Sequence, residues 1–460
     1  MKKIIAIIIC VVICFSFAGC NINISSVDVL MRPPKLSGEN SLLQQTFETT
    51  VGDSESIVMK TPISGDNRSS YLLYDLDNDS VSEALVLYAD PAKDSLACIS
   101  VFKFVNEKWS FVSTIKGKSE EVYSVDFADV NGDGNYEILT SWVSSSLQAD
   151  SLSSSGLGSI NDKILVIYSY NGSSTILLKS ETYTKLSVED VNGDKTDELF
   201  IINIDLSNQQ KNTWGRIVSF DSEYSIDQDI KFNLTGMLDV YSIVFDSYAV
   251  NDEMHSRVYV DGSISETGII TEIIDVSHNT FEVTLPFYES NISAQPITLR
   301  DVRVFSQDFD NDGIVEVPTI EKLSGGIRIA TESEQKNHLN LTVWSEIIDN
   351  NLVVDTKCLL NGTSGYMFIF PDEWSGKITA VYNENNSTIT FYSIDNNETL
   401  TNALFSLKSA FELDWKENDY DYIKFDENGV FVYGYLIFDE ENEDIYVDAI
   451  ENNFILVNQE

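Results

Sequence analysis

The 460-residue sequence is short of cations. Lys and Arg number 29 against 73 Asp and Glu, and with three His the formal net charge is −44. A phosphate backbone is gripped by Lys and Arg that displace its counterions, so this balance argues against nucleic acid as a partner. The three His, His255, His278 and His338, have no partner at a spacing that suits a metal centre or a catalytic triad. A phosphate-cradling Gly-rich loop, Gly-x-Ser-x-Gly and His-Glu-x-x-His are all missing. No catalytic residue is assigned. Proline is scarce, at eight residues, and nothing points to a helix-rich protein. Val, Ile, Thr and Ser dominate the apolar runs, and 21 Tyr and 24 Phe accompany them, which favours strands.

Cysteine is also sparse, with five residues. Lys2 and Lys3 precede an apolar stretch from Ile4 to Phe17, of signal-peptide length, that ends Phe17-Ala18-Gly19-Cys20. Small residues before a Cys resemble the bacterial lipobox, with Phe17 where Leu is usual. The resemblance implies cleavage after residue 19, diacylation of Cys20 and anchoring on the outer face of a bacterial cell membrane, for which two acyl chains suffice. An ordinary secretory signal or an uncleaved anchor are the other readings. Residues 20–52 read as a polar tether with Pro33 and Pro34 and no clear period. Cys98 and Cys358 remain, each inside an apolar strand-like run. Buried free thiols are the simpler reading, and a disulfide is the other.

What the sequence has in quantity is one acidic pattern. Acidic or Asn side chains at positions 1, 3 and 5 and Glu at position 9 recur four times. The first copy holds Asp75, Asp77, Asp79 and Glu83, and the second Asp129, Asn131, Asp133 and Glu137. The third holds Asp190, Asn192, Asp194 and Glu198, and the fourth Asp308, Asp310, Asp312 and Glu316. Alternate carboxylates on a tight loop are hard oxygen ligands of the kind Ca²⁺ takes. The copies start 54, 61 and 118 residues apart, and 118 is twice 59. A fixed period of that size marks a repeat architecture. A decayed copy fills the gap. It runs from Ala249 to Arg257, 59 residues after Asp190 and 59 before Asp308. It has no carboxylate at position 1 and a cation at position 9, so no metal is expected there, and Arg257 is expected to pair with Glu253.

Alternating apolar runs flank each loop. Tyr71–Tyr74, Tyr123–Phe127, Leu186–Val188 and Val302–Phe305 lie before, and Ala84–Tyr88, Ile138–Trp142, Leu199–Ile204 and Val315–Ile320 after. Two further runs complete a unit, such as Ile99–Phe104 with Trp109–Ile115. Four antiparallel strands in about 60 residues make one propeller blade. The expected fold is therefore all-β: a propeller of about five to seven four-stranded blades over 53–360, followed by a smaller β-rich domain over 361–460. Ile57–Pro62 reads as a strand donated to the last blade, and Gly365–Phe370 as a candidate opening of a sixth. In the C-terminal part Ile445–Ala449 also reads as a strand, and Asp439–Asp444 as a solvated turn.

These loops resemble the FG-GAP and VCBS repeats of β-propellers, including the head of integrin α subunits. The resemblance covers residues 65–350 and lacks the Phe-Gly and Gly-Ala-Pro elements that name the family. It implies about four structural Ca²⁺ ions held by side chains at positions 1, 3, 5 and 9 and by the position-7 carbonyls of Val81, Asn135, Thr196 and Ile314. The family's Gly at position 6 is Gly134 and Gly313 in two copies but Ser80 and Lys195 in the others, so looser first and third sites are expected. EF-hands need an acidic residue at position 12. Here that position holds Val86, Thr140, Ile201 and Thr319. The competing reading is acidic turns that only hydrogen-bond their own backbone. Affinity is expected on the order of 0.1–1 mM, as in extracellular modules.

The functional expectation is a cell-surface binding or adhesion module for a protein or glycan. The alternatives are a polysaccharide or cell-wall hydrolase or lyase, and a non-catalytic scaffold or sensor subunit. Ser144–Ser159, Ser207–Gly215 and Ser324–His338 are candidate ligand loops, with Trp142 and Trp214 as candidate stacking rings.

Overall fold

The structure, a computed structural model, describes residues 39–52, 56–144, 163–206, 212–250, 253–287, 296–324, 339–383, 387–397, 399–412, 414–415 and 421–457. Cys20, the signal segment and most of the candidate ligand loops lie outside them. Among the described residues no helix is long and apolar enough to cross a membrane. The chain divides into two compact units, one within 1–127, 138–143 and 167–177, the other within 128–137, 144–166 and 178–460.

The expected strand content is present. The first sheet holds β1 (Val58–Met59), β2 (Tyr71–Tyr74), β3 (Glu83–Asp90), β4 (Asp94–Val105) and β5 (Lys108–Lys116). The second is β6 (Val122–Ala128), β7 (Glu137–Val143), β8 (Lys163–Tyr170) and β9 (Thr175–Tyr183), in that order. The third is β10 (Lys185–Glu189), β11 (Glu198–Asp205), β12 (Asn212–Phe220) and β13 (Ile226–Leu234). The fourth is β14 (Asp239–Val250), β15 (Glu253–Ser263), β16 (Ile269–Ser277) and β17 (Val283–Thr284). The fifth joins β18 (Val317–Lys322), β19 (Asn340–Ile348), β20 (Asn351–Asn361) and β21 (Tyr366–Ile369). The sixth holds β22 (Ile378–Asn383), β23 (Thr388–Ile394), β24 (Leu400–Phe411), β25 (Ile423–Glu427) and β26 (Phe431–Ile437). The last strand, β27 (Phe454–Leu456), returns to pair with β21.

In the first unit β1 and β2 share one edge of β3, with Met59 opposite Tyr88 and Tyr74 opposite Glu83. Ile57–Pro62 therefore belongs to the first sheet and is not donated to the last. A helix, α1 (Glu39–Val51), stands where the end of the tether was expected. Leu43 and Phe47, four residues apart and so on one helical face, are buried with Tyr88, Phe102 and Trp109. Phe47 meets the Tyr88 ring edge-on at 5.1 Å.

In the second unit consecutive sheets pack face to face. Phe200, Ile202 and Ile217 of the third meet Val258, Val260 and Ile274 of the fourth. Tyr259 and Ile273, on the opposite face of the fourth, meet Val317 and Ile347 of the fifth. The fifth and sixth share an aromatic core of Phe368, Phe391 and Phe405 with Trp374, and Phe391 and Phe405 stack at 4.2 Å. β11 is buried along nearly its whole length and carries the continuous apolar run Leu199–Ile202, and β16 is buried throughout although Thr271, Glu272 and Asp275 interrupt its apolar residues. β13 carries mostly exposed residues.

Three expected strands differ. Val302–Phe305 forms no ladder, because side chains take its backbone groups. Arg300 Nε donates to the Val304 carbonyl at 2.8 Å, and the Ser306 N–H donates to the buried Asp261 carboxylate at 2.8 Å. Gly365–Phe370 does not open a sheet, since β21 pairs with β20 as its next neighbour. Ile445–Ala449 lies in a helix, α2 (Glu443–Asn453), which buries Tyr446 and Ile450 four residues apart. The acidic run ahead of it forms a 3₁₀ turn at Glu440–Asn442, and Glu443 and Asp444 occupy the first helical turn, where the helix dipole favours negative charge.

Candidate metal centres

Each acidic loop leads into a strand that begins at its own Glu in the first three copies and one residue later, at Val317, in the fourth. Position 12 lies inside β3, β7, β11 or β18 in the four copies, which is incompatible with the helix that follows an EF-hand loop. One hydrogen-bond scheme repeats. The position-1 Asp accepts the N–H groups of positions 5 and 6, as Asp75 does from Asp79 at 3.0 Å and Ser80 at 2.8 Å. Asp129, Asp190 and Asp308 do the same. The position-5 Asp accepts the N–H of position 7, at 2.8 Å in all four loops. The position-9 Glu accepts the N–H of position 2, where Leu76, Val130 and Val191 are buried and Phe309 is partly buried.

The scheme demands left-handed backbone at positions 4 and 6. Asn78, Gly132, Gly193 and Asn311 have φ between 52° and 76°, and Ser80, Gly134, Lys195 and Gly313 between 71° and 93°. The first and third loops, without Gly at position 6, keep the same bonds and the same dihedrals. Ser80 and Lys195 therefore hold a left-handed φ that a Cβ disfavours.

The Glu residues are buried, between 1% and 3% exposed. Burial raises their carboxyls, to about 7 at Glu83, Glu137 and Glu316 and about 8 at Glu198. The second carboxylate oxygen distinguishes the loops. The Tyr170 hydroxyl donates to Glu83 Oε1 at 3.3 Å, and the Tyr224 hydroxyl to Glu137 Oε1 at 2.9 Å. Both tyrosines lie 87 residues beyond their Glu. The Asn192 amide donates to Glu198 Oε1 at 3.0 Å. Glu316 Oε1 is buried with no hydrogen-bond partner, as is Asp77 Oδ1 in the first loop.

These orphan oxygens test the fit to a cation. Ligand atoms of Asp75, Asp77 and Glu83 lie within 4.8 Å of one another, and so do those of Asp308, Asp310 and Glu316. Oxygens held at 2.3–2.6 Å from one Ca²⁺ fall within that span. The first and fourth loops therefore fit the ion. In the second and third, the Asn131 and Asn192 amides donate to Asp133 and Asp194 at 3.2 and 3.0 Å, pairing those groups internally. The second and third loops also dock on each other. Asp197 Oδ2 accepts the Asp129 N–H at 3.0 Å, and the Asp197 N–H donates to the Asp129 carbonyl at 3.0 Å.

The described residues of the decayed copy lie in strands. β14 runs through Val250, which pairs with Glu253 in β15. Glu253 then lies four residues along the strand from Arg257, roughly 13 Å at 3.3 Å per residue, so the expected Arg257–Glu253 pair does not form. Arg257 stacks on Tyr248 at 3.8 Å, donates to the Ile347 carbonyl at 3.2 Å and lies 3.9 Å from Asp275. Asp275 is bonded by the Tyr248 hydroxyl and, at 2.7 Å, by His255 Nδ1; burial raises its carboxyl to about 6. Ser256 meets His278 Nε2 at 2.8 Å. Consecutive strand residues point to opposite faces, so the Ser256–His278 and His255–Asp275 pairs do not combine into a triad.

Trp142 is fully buried, with its indole N–H on Thr140 Oγ1 at 2.9 Å, so it is a core residue and not a stacking platform. Asn212–Gly215 and Trp214 lie in β12, and Lys231 sits 4.8 Å over the Trp214 ring. Cys98 is half-buried, Cys358 is buried, and both are free thiols.

No family model matches the chain, and no curated protein does. Among solved structures, a GH43 β-1,3-galactosidase is 10% identical over 79% of this chain and 75% of its own, with a TM-score of 0.24. The Dos1 propeller is 9% identical over 77% of this chain and 74% of its own, also at 0.24. What those two proteins do remains a statement about them.

Proposed function

We propose that the chain is a calcium-stabilised β-propeller that serves as a binding or adhesion module for a protein or glycan, held at a bacterial cell surface through Cys20. The observation that carries the calcium reading is the pair of orphan oxygens, Asp77 Oδ1 and Glu316 Oε1, each among converging carboxylates. The propeller reading is supported by the serial face-to-face packing of the third to sixth sheets in the second unit. Asp75, Asp77, Asp79 and Glu83 would hold one ion, Asp308, Asp310, Asp312 and Glu316 another. Asp129, Asn131, Asp133 and Glu137, and Asp190, Asn192, Asp194 and Glu198, would each take one after their Asn amides turn. The Val81, Asn135, Thr196 and Ile314 carbonyls would complete the sets. When bound, the ion supplies charge neutralisation. The residues themselves fix the turn between strands. The module reading also rests on the sequence's lack of catalytic motifs.

The test is thermal unfolding of the full chain with EDTA and with millimolar Ca²⁺. The melting temperature is expected to fall on chelation and recover on addition of calcium. An unchanged melt overturns the calcium reading.

A further inference from the structure

The four loops share a scheme but not an environment, and the strand register shows where they part. In the first, third, fourth and fifth sheets the strand beside position 9 carries one residue level with it. The ladder pairs Ala84 with Phe102, so Lys103 stands level with Glu83. Leu199 pairs with Val218, so Ser219 is level with Glu198. In the decayed copy Arg257 pairs directly with Asp275. Val317 pairs with Ser345, so Glu346 is level with Glu316. A charge at position 9 thus faces an opposite charge or a neutral residue in three sheets and a like charge in the fifth. Side chains directly across an antiparallel pair have Cβ atoms about 5 Å apart, and like charges there destabilise the sheet.

Two more observations single out this place. Glu316 is the one position-9 Glu whose second oxygen is orphaned, and the residue is 1% exposed. Trp344, two residues earlier on the same face of β19, stacks on Phe309 of the loop at 4.5 Å and ties the strand to it.

We propose that Glu346 is an additional carboxylate of the fourth loop, making with Asp308, Asp310, Asp312 and Glu316 a divalent-cation site that binds Ca²⁺ more tightly than the other three. The proposal rests on the calcium reading above. Affinity of oxygen sites for Ca²⁺ rises with the number of charged ligands. In the first loop the corresponding residue is Lys103, whose ammonium donates to the Gly172 carbonyl at 2.7 Å and adds positive charge beside Glu83. The fourth loop should therefore fill first and the first loop late.

The experiment is calorimetric titration of the full chain with CaCl₂, alone and with the substitutions Glu346→Gln and Glu346→Lys. The wild type is expected to show one tight ion ahead of weaker ones. Glu346→Gln should weaken that ion by about tenfold or more, the effect of removing one unit charge roughly 5 Å from a dication even in high dielectric, and Glu346→Lys should abolish it. The weaker events should stay. A second readout separates ligation from packing: Glu346→Gln should raise the melting temperature in EDTA, where it removes a like-charge contact, and lower it in calcium. A substitution that disturbs packing alone moves both melts the same way. If the wild type binds calcium and both variants keep the tight ion, Glu346 is not a ligand and the proposal falls while the calcium reading stands. If the wild type binds no calcium, both fall.

Discussion

A single residue type does the folding work of each acidic loop. The position-1 Asp spends both carboxylate oxygens on the N–H groups of positions 5 and 6, so the turn closes without help from an ion. That bond pattern forces position 6 into the left-handed region, which a residue with a Cβ enters at a cost of roughly 1–2 kcal/mol. Ser80, at φ 71°, bears that cost, whereas Gly134 in the second loop does not. Ser80→Gly should therefore stabilise the chain by about 1 kcal/mol, less the greater freedom of Gly in the unfolded state, and Gly134→Ser should cost a similar amount. Equilibrium unfolding in urea, in EDTA so that ion binding does not intervene, measures both. Opposite signs are expected, and equal signs would show that position 6 is not strained. The ligand-type residues were legible because they recur at a fixed period. Tyr170 and Tyr224 were not. They reach the loops from hairpins 87 residues away, and an isolated Tyr in a Tyr-rich sequence carries no local mark of that role. Glu346 was hidden for a related reason, since only the strand register brings it level with Glu316.

At the scale of elements, alternation located most strands, and it failed where side chains or tertiary contacts took over the backbone or the apolar face. Val302–Phe305 has strand composition, but Arg300 holds the Val304 carbonyl and Asp261 holds the N–H of Ser306 just beyond the run. Ile445–Ala449 is too short for its period to separate strand from helix, and the Tyr446 and Ile450 contacts decide for helix. Glu39–Val51 reads as polar because few of its residues, Leu43 and Phe47 with Val51 at its end, pack on the sheet. The loops carry a pH signature as elements. Their Glu carboxyls lie near 7 or 8 in the fold without an ion, against 4.5 for the unperturbed group. The fold then holds these protons more tightly than the unfolded chain does. Their contribution is fully present below about pH 4.5 and is lost as pH rises through 7 to 8. Melts in EDTA should accordingly fall between pH 5.5 and pH 8.5. Saturating calcium should flatten that dependence, because a bound dication keeps the carboxylates ionised. A melt in EDTA that rises over the same interval would contradict the burial of these groups.

For the whole molecule the governing number is the charge of −44, carried by 73 acidic residues against 29 Lys and Arg. Such an excess opposes compaction by self-repulsion, and two different remedies act on it. Monovalent salt screens exposed charges beyond a Debye length, about 10 Å at 0.1 M and 3 Å at 1 M, but it supplies no ligand to a buried orphan oxygen. Calcium would supply one, and only at the loops. Sodium chloride at 0.5 M in EDTA should therefore raise the melting temperature in part, and millimolar calcium should add a further rise at the same salt. Magnesium at equal concentration should fall short of calcium, because Mg²⁺ dehydrates reluctantly and demands near-octahedral geometry. If salt alone brought the melt to the calcium value, general repulsion would explain the stability and the loops would be acidic turns that bond their own backbone. If calcium adds its increment on top of salt, the ions act where Asp77 Oδ1 and Glu316 Oε1 have no other partner, and the repeat is held together by site-specific neutralisation.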